Sequence, residues 1–181
     1  MQPRIILDQK KFDLTITRLC HQLIEQHKDF SQTSLIGVQP RGVFLADRIH
    51  EKLSKILKKK DIQYGKLDIT FYRDDFRLKG KPMIADEMSI DFSLENRNIV
   101  LIDDVLYTGR TIRAALDAML DYGRPADVEL LVLIDRRLHR HVPIQAKYVG
   151  KVIDSIHTEK VKVEWKETEG NDKVWITSET A

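Results

Sequence analysis

Short apolar runs with no alternation, each followed by a stretch of helical periodicity, constrain this sequence more than any other feature. "SLIGV" (residues 34–38), "NIVLI" (residues 98–102) and "VELLVLI" (residues 128–134) read as strands. A strand that is apolar at every position must be covered on both faces, which is the situation of a parallel sheet between two layers of helices. The intervening segments supply those helices. Phe12, Ile16, Leu19 and Leu23 recur at helical spacing, as do Leu45, Ile49, Leu53 and Ile56. After the run at 98–102, Ile112, Ala115, Leu116, Met119 and Leu120 predict one buried face, Arg113 and Asp117 an i,i+4 pair outside, and Gly123 a C-terminal cap. Strands alternating with helices predict an α/β fold whose ligands bind beyond the carboxyl ends of the strands.

Two segments depart from that rhythm. "IQYGKLDITFY" (residues 62–72) has strand composition, but the charged segment after it contains Gly80 and Pro82 and shows no periodicity, so residues 73–87 are expected to form a long mobile loop. Beyond residue 135 the chain breaks into short β-like pieces, "AKYVG", "KVKVEW" and "DKVWI", expected to form a small hood over the strand ends. The 181 residues suit a single domain with the hood contributed mainly by residues 135–181.

Composition narrows the function classes. Lysine and arginine (30) nearly balance aspartate and glutamate (28), so net charge gives no argument for a polyanion ligand and any basic patch must be local. The single Cys20 cannot form an internal disulfide and has no zinc-ligand spacing around it, the usage of a reducing compartment. No stretch approaches the apolar length of a signal segment or of a membrane span, about 20 residues. A cytoplasmic protein is the expectation.

"VLIDDVLYTGRT" (residues 100–111) joins opposite chemistries. Asp103 and Asp104 come at the end of a buried strand, where ligands bind. Thr108, Gly109, Arg110 and Thr111 then open a helix whose free N–H groups and dipole favour a phosphate. Carboxylates beside a phosphate would repel it unless they address another part of the same ligand. Sugar hydroxyls and hydrated Mg²⁺ are the natural targets of such oxygens, so the segment fits a ribose 5-phosphate unit. It does not fit the nucleoside-triphosphate loop, since Asp104 and Arg110 stand where glycine and lysine are required.

The same segment closely resembles the phosphoribosyl-diphosphate motif of type I phosphoribosyltransferases. "DITFYRDD", the stretch 103–136 and "PIQAKYVGK" further resemble the PyrR group, pyrimidine-operon regulators that are also uracil phosphoribosyltransferases. The resemblance implies the type I phosphoribosyltransferase fold: a central parallel sheet, flanking helices and a hood. It implies synthesis of UMP and diphosphate from uracil and 5-phosphoribosyl 1-diphosphate (PRPP), with Mg²⁺ carried on the diphosphate. It assigns Asp103 and Asp104 to the ribose hydroxyls or metal and Thr108, Gly109, Arg110 and Thr111 to the 5-phosphate. Gln39, Pro40, Arg41 and Gly42 would form the diphosphate loop, with Arg73, Arg77 and Lys79 as further cations. The family usually has another residue at Pro40, and the sequence leaves the isomer of the bond before it open.

For the base, the resemblance points to Tyr107 and to Ile134, Asp135 and Arg136. Purine enzymes of the superfamily commonly carry a carboxylate where Tyr107 stands, and a neutral phenol there disfavours a purine. The resemblance also implies binding of pyrimidine-operon mRNA, with Arg18, His21, His139, Arg140 and Lys151 as candidate contacts, and a homo-oligomer of two or more copies. His27 and Gln145 replace arginines usual in the RNA-binding relatives, which removes permanent cations. An RNA-binding regulator that keeps the site only as a nucleotide sensor, and a purine phosphoribosyltransferase, remain alternatives.

Overall fold

The computed structural model describes residues 3–74, 89–155 and 159–178. The segment Arg4–Leu7 is β1, Gln9–His27 α1, Thr33–Val38 β2, Gly42–Leu57 α2 and Tyr64–Leu67 β3. Next come Asn98–Leu106 (β4), Arg110–Met119 (α3), Asp127–Arg136 (β5), Tyr148–Ile153 (β6), Glu159–Glu164 (β7), the short Lys166–Glu169 (α4) and Lys173–Ser178 (β8). Five strands form a parallel sheet in the order β3-β2-β4-β5-β6, and three form a separate sheet in the order β1-β8-β7, which is antiparallel.

The unbroken apolar runs have the physical cause expected of them. On β2, β4 and β5, residues Leu35, Val100, Ile102, Leu131 and Leu133 join a core with α1, α2 and the small sheet. Their neighbours Ile36, Ile99, Leu101, Leu130 and Val132 join a second core beneath α3. These positions are buried because each face of the sheet carries its own helical layer. Helix α1 starts at Asp8, whose carboxylate accepts the Lys11 backbone N–H at 2.9 Å, and buries Phe12, Ile16, Leu19 and Leu23 as the periodicity predicts.

Several expectations shift. Ile56, Leu116 and Leu120 are exposed (39%, 37% and 64%) instead of facing inward, and α3 buries Ala114 and Ala118 instead, beside Ile112, Ala115 and Met119. Helix α3 gives way to a 3₁₀ turn at Leu120, which rotates that side chain off the inward stripe. Arg113 pairs with Asp74 at 3.0 Å, not with Asp117. The strand foreseen over residues 62–72 is confined to β3, followed by a 3₁₀ turn at Thr70–Tyr72.

The C-terminal pieces divide between the two sheets. "AKYVG" leads into β6, the edge strand of the central sheet, while β7 pairs with β8, and β8 with β1 from the other end of the chain. Alternation in such short pieces shows that they are strands but not which neighbour they pair with. Trp165, fully buried, fastens the small sheet: Phe12 meets it edge-on at 5.1 Å between ring centroids, and the Arg48 guanidinium lies 5.1 Å above it. Arg48 also bonds Glu167 and Asp172, each at 2.7 Å.

Candidate active site

Sheet order creates the site. From β2 the chain crosses through α2 to β3 on one side, and from β4 it crosses through α3 to β5 on the other, so a crevice opens between the ends of β2 and β4. Pairing of β2 with β4 stops at Gly37 and Ile102, whereas β4 continues along β5 through Leu106. Asp103 and Asp104 therefore lie inside the strand instead of just past it, on the part of β4 that has lost one neighbour.

Both carboxylates are nearly enclosed, at 6% and 9% exposure. Asp103 Oδ1 accepts the Asp104 backbone N–H at 2.9 Å. Burial, and then the charge of Asp104, push the Asp103 carboxyl well above the usual carboxylate range, although Arg73 opposes this. Burial also raises Asp104, against the pull of Arg41, whose Nε stands 3.5 Å from Asp104 Oδ2. The buried indole N–H of Trp165 faces the same carboxyl and favours its charge, yet stops short of a hydrogen bond. Burial thus disfavours charge on both carboxyls unless a cation or ligand compensates it.

Residues 39–42 wrap from the end of β2 into α2. The peptide bond between Gln39 and Pro40 is cis. Gln39 Oε1 is buried without a hydrogen-bond partner among the described residues, and Arg41 takes the N-cap position of α2. Gly42 is required by contact: a Cβ there would lie 2.7 Å from the Ile102 carbonyl oxygen and 3.0 Å from the Asp103 Cα. The absence of a side chain is what lets the start of α2 rest directly on β4 at the aspartates.

On the other flank, Gly109 adopts φ 88°, a left-handed turn that suits glycine and aims the chain into α3. Thr108, Arg110 and Thr111 line a cleft of about 150 Å³ with Arg73 and Asp74. Asp74 Oδ2 bridges Arg110 and Arg113 at 3.1 and 3.0 Å. Arg77 and Lys79 fall outside the described residues, as does most of the loop foreseen over residues 73–87.

The residues assigned to the base come together. The Arg136 guanidinium stacks 3.9 Å above the Tyr107 ring, and His139 meets that ring edge-on. Ile134 and Asp135 pair with β4 at Val105 and Leu106. Arg136 is buried and held by Ser155 Oγ at 2.9 Å and the Glu159 carbonyl at 2.8 Å. Arg140 bonds Asp135 Oδ1 at 2.5 Å and donates to the Tyr107 carbonyl.

That last contact separates the residues grouped as an RNA face. Arg140 and His139 border Tyr107. Arg18 is spent on β6, donating to the carbonyls of Val149 and Gly150 at 3.2 and 2.6 Å. His21 and Lys151 remain exposed. His27 is no surface cation at all: its ring bonds Glu129 at 2.9 Å and Thr33 at 3.1 Å, and burial lowers its pKa against the pull of Glu129.

Residues absent from the sequence reading complete the site. Glu169 of α4 meets Arg41 at 3.3 Å, and the Val163 carbonyl accepts from Arg41 at 2.6 Å. Asp74 and its partners Arg110 and Arg113 all stood in quoted segments, but nothing in the sequence paired them. "WKETEG" carried no signal that α4 would return to the site.

A family profile described as "Phosphoribosyl transferase domain" matches residues 4–168. The chain is 41% identical over 174 residues to the "Bifunctional protein PyrR" of Bacillus cereus (strain AH820), covering 95% of this chain and 96% of the relative. It is 42% identical over 173 residues to the protein of that name from Elusimicrobium minutum (strain Pei191), with 96% of each chain covered. The hypoxanthine phosphoribosyltransferase structure of Trypanosoma cruzi superposes with a TM-score of 0.71 at 17% identity, over 97% of this chain and 96% of that one. That of Staphylococcus aureus superposes with a TM-score of 0.67 at 20% identity, over 97% and 92%; these likenesses establish the fold alone. The shared fold and the identity along nearly the whole length place the chain in the PyrR family of phosphoribosyltransferases.

Proposed function

We propose that this protein is a uracil phosphoribosyltransferase, forming UMP and diphosphate from uracil and PRPP, and that it regulates pyrimidine genes through mRNA. The observation that carries the enzyme reading is the crevice between β2 and β4. One stretch of buried strand offers two carboxylates, with the diphosphate loop on one flank and the 5-phosphate turn on the other. A phosphoribosyl group with its diphosphate is a ligand of that length and charge order.

In this reading a uracil nitrogen attacks C1 of the ribose as the bond to diphosphate breaks, and positive charge develops on the sugar ring. The protein's task is to orient two reactants and to stabilise the leaving group. Asp103 and Asp104 accept from the ribose hydroxyls. Thr108, Gly109, Arg110 and Thr111 hold the 5-phosphate, while Gln39, Pro40, Arg41 and Gly42 hold the diphosphate. Arg73 adds charge near both, with Arg77 and Lys79 proposed alongside it. Tyr107, stiffened by Arg136, walls the base, and the backbone of Ile134, Asp135 and Arg136 reads its edge.

Mg²⁺ fits this donor set. It tends to keep its waters and to use one or two carboxylates plus substrate phosphates, and Asp103 and Asp104 with a bound diphosphate supply that arrangement. When bound, the ion would offset charge on the departing diphosphate.

No helix among the described residues is long and apolar enough to cross a membrane. The test compares uracil, hypoxanthine, guanine and xanthine with PRPP and Mg²⁺. UMP should form; a purine nucleotide without UMP would overturn the assignment. For the second role, affinity for a pyrimidine-operon leader RNA should respond to UMP and exceed that for tRNA. Of the proposed contacts His21, Lys151 and Arg18 are exposed, Arg18 already donating to β6 carbonyls, while His139 and Arg140 are half-buried. Light scattering tests the homo-oligomer that the family resemblance implies.

A further inference from the structure

We infer that Glu169 is a positioning residue that occupies the guanidinium of Arg41 in place of the diphosphate, so that a carboxylate of α4, the turn between β7 and β8, sets how tightly the site takes its substrate. The inference rests on the reading of residues 39–42 as the diphosphate loop. Each nitrogen of Arg41 has an acceptor nearby without a ligand, although the side chain is 40% exposed. Its Nε faces Asp104 at 3.5 Å, Nη1 and Nη2 lie 3.3 and 3.4 Å from Glu169 Oε1, and Nη2 also donates to the Val163 carbonyl at 2.6 Å. The fork that suits a phosphate is turned towards a carboxylate.

Glu169 is itself fixed in place. Its Oε2 accepts the Trp165 backbone N–H at 2.8 Å and a hydrogen bond from the Thr168 hydroxyl. Those two bonds, followed by the charge of Arg41, hold its carboxyl below the usual range, so it is ionised near neutral pH. Trp165 in turn is locked between Phe12 and Arg48, which makes the placement of Glu169 a property of the hood and not of a free surface side chain.

An ionised carboxylate this close disfavours an incoming polyanion in two ways. It engages the donors that the anion needs, and it repels the anion directly. Binding must therefore draw Arg41 off Glu169, and removing the charge at 169 should tighten binding. Glu169→Gln keeps an oxygen for the Trp165 N–H and nearly the same volume.

The experiment measures inorganic diphosphate and ribose 5-phosphate binding by calorimetry on the full chain, with and without Glu169→Gln. The Kd for diphosphate should fall about three- to tenfold, the range expected when one carboxylate is removed from beside an arginine and a multivalent anion. Ribose 5-phosphate affinity should not change. The KM for PRPP should fall by a similar factor, more than any change in kcat, and the gain should shrink in an Arg41→Ala background. An unchanged or weaker diphosphate affinity, equal gains for both ligands, or a gain undiminished without Arg41 would each overturn the inference. If the unsubstituted protein binds no diphosphate, the assignment of the loop falls first, and the inference with it.

Discussion

Gly42→Ala tests whether contact between the start of α2 and β4 sets the geometry of the proposed site. A Cβ at 42 would stand 2.7 Å from the Ile102 carbonyl oxygen and 3.0 Å from both the Asp103 Cα and Oδ1. Ordinary contact begins near 3.4 Å, so the two elements must part by about 0.7 Å (3.4 − 2.7). Two of those three atoms are backbone and belong to the centre of the sheet, so α2 is the element that yields. Overpacking of this kind costs about 1–3 kcal/mol. Alanine returns up to about 1 kcal/mol of helix propensity, because Gly42 is not held in a left-handed conformation.

The expected net loss is at most about 3 kcal/mol, or at most about 12 °C in Tm for a domain of this size. The effect on activity should be out of proportion. Arg41 moves with α2, and displacement of positioning groups by about 1 Å costs on the order of 100-fold in rate. Thermal unfolding and initial rates of UMP formation, measured against the exposed control Glu51→Ala, separate the two effects. If kcat/KM for PRPP stays within about threefold of the unsubstituted protein while Tm falls as stated, the contact does not set the site's geometry.

Three further outcomes follow from the same residues. Asp104→Asn should leave the fold intact and weaken PRPP binding; unchanged KM and kcat would remove it from the site. For Asp103 the sign runs towards instability with rising pH: its carboxyl titrates well above the unfolded value, so the native state binds the extra proton between about pH 3.9 and the raised pKa, and stability falls across that window. Asp103→Asn should therefore raise Tm above the window, leave it alike below about pH 4, and still impair PRPP binding; an equal Tm at all pH values would refute the burial argument. Tyr107→Asp should lose about 0.5–2 kcal/mol of cation–π contact with Arg136 and lower uracil turnover while hypoxanthine turnover becomes measurable, whereas an unchanged base preference would free Tyr107 from that role.

The residues grouped as an RNA face by resemblance also separate under mutation. Lys151→Ala should reduce the salt dependence of RNA affinity by about one unit of slope, because that ammonium is exposed. Arg140→Ala should instead raise the KM for uracil, since its guanidinium ties Asp135 to the Tyr107 carbonyl. An Arg140→Ala effect confined to RNA would return it to the RNA face.

What the sequence determined by itself is local. The apolar runs at 34–38, 98–102 and 128–134 demand two covering layers, and α1 and α2 bury the stripes that their periodicity marks, apart from Ile56. Asp103 through Thr111 are contiguous, so a strand end and a helix start bring them together without help from the rest of the chain. Tertiary structure decided whatever depends on residues far apart. Arg41 and Glu169 meet across 128 positions, Arg140 turns inward to Asp135 and Tyr107, and Asp74 finds Arg110 and Arg113. The placement of β6 in the central sheet and of β1 beside β8 belongs with these, because alternation reports which face of a strand is covered and not which strand lies next to it. Charge gives even less warning, since a lysine, arginine or histidine reads alike in sequence whether it stands in water, as Lys151 does, or is buried against a carboxylate, as His27 is.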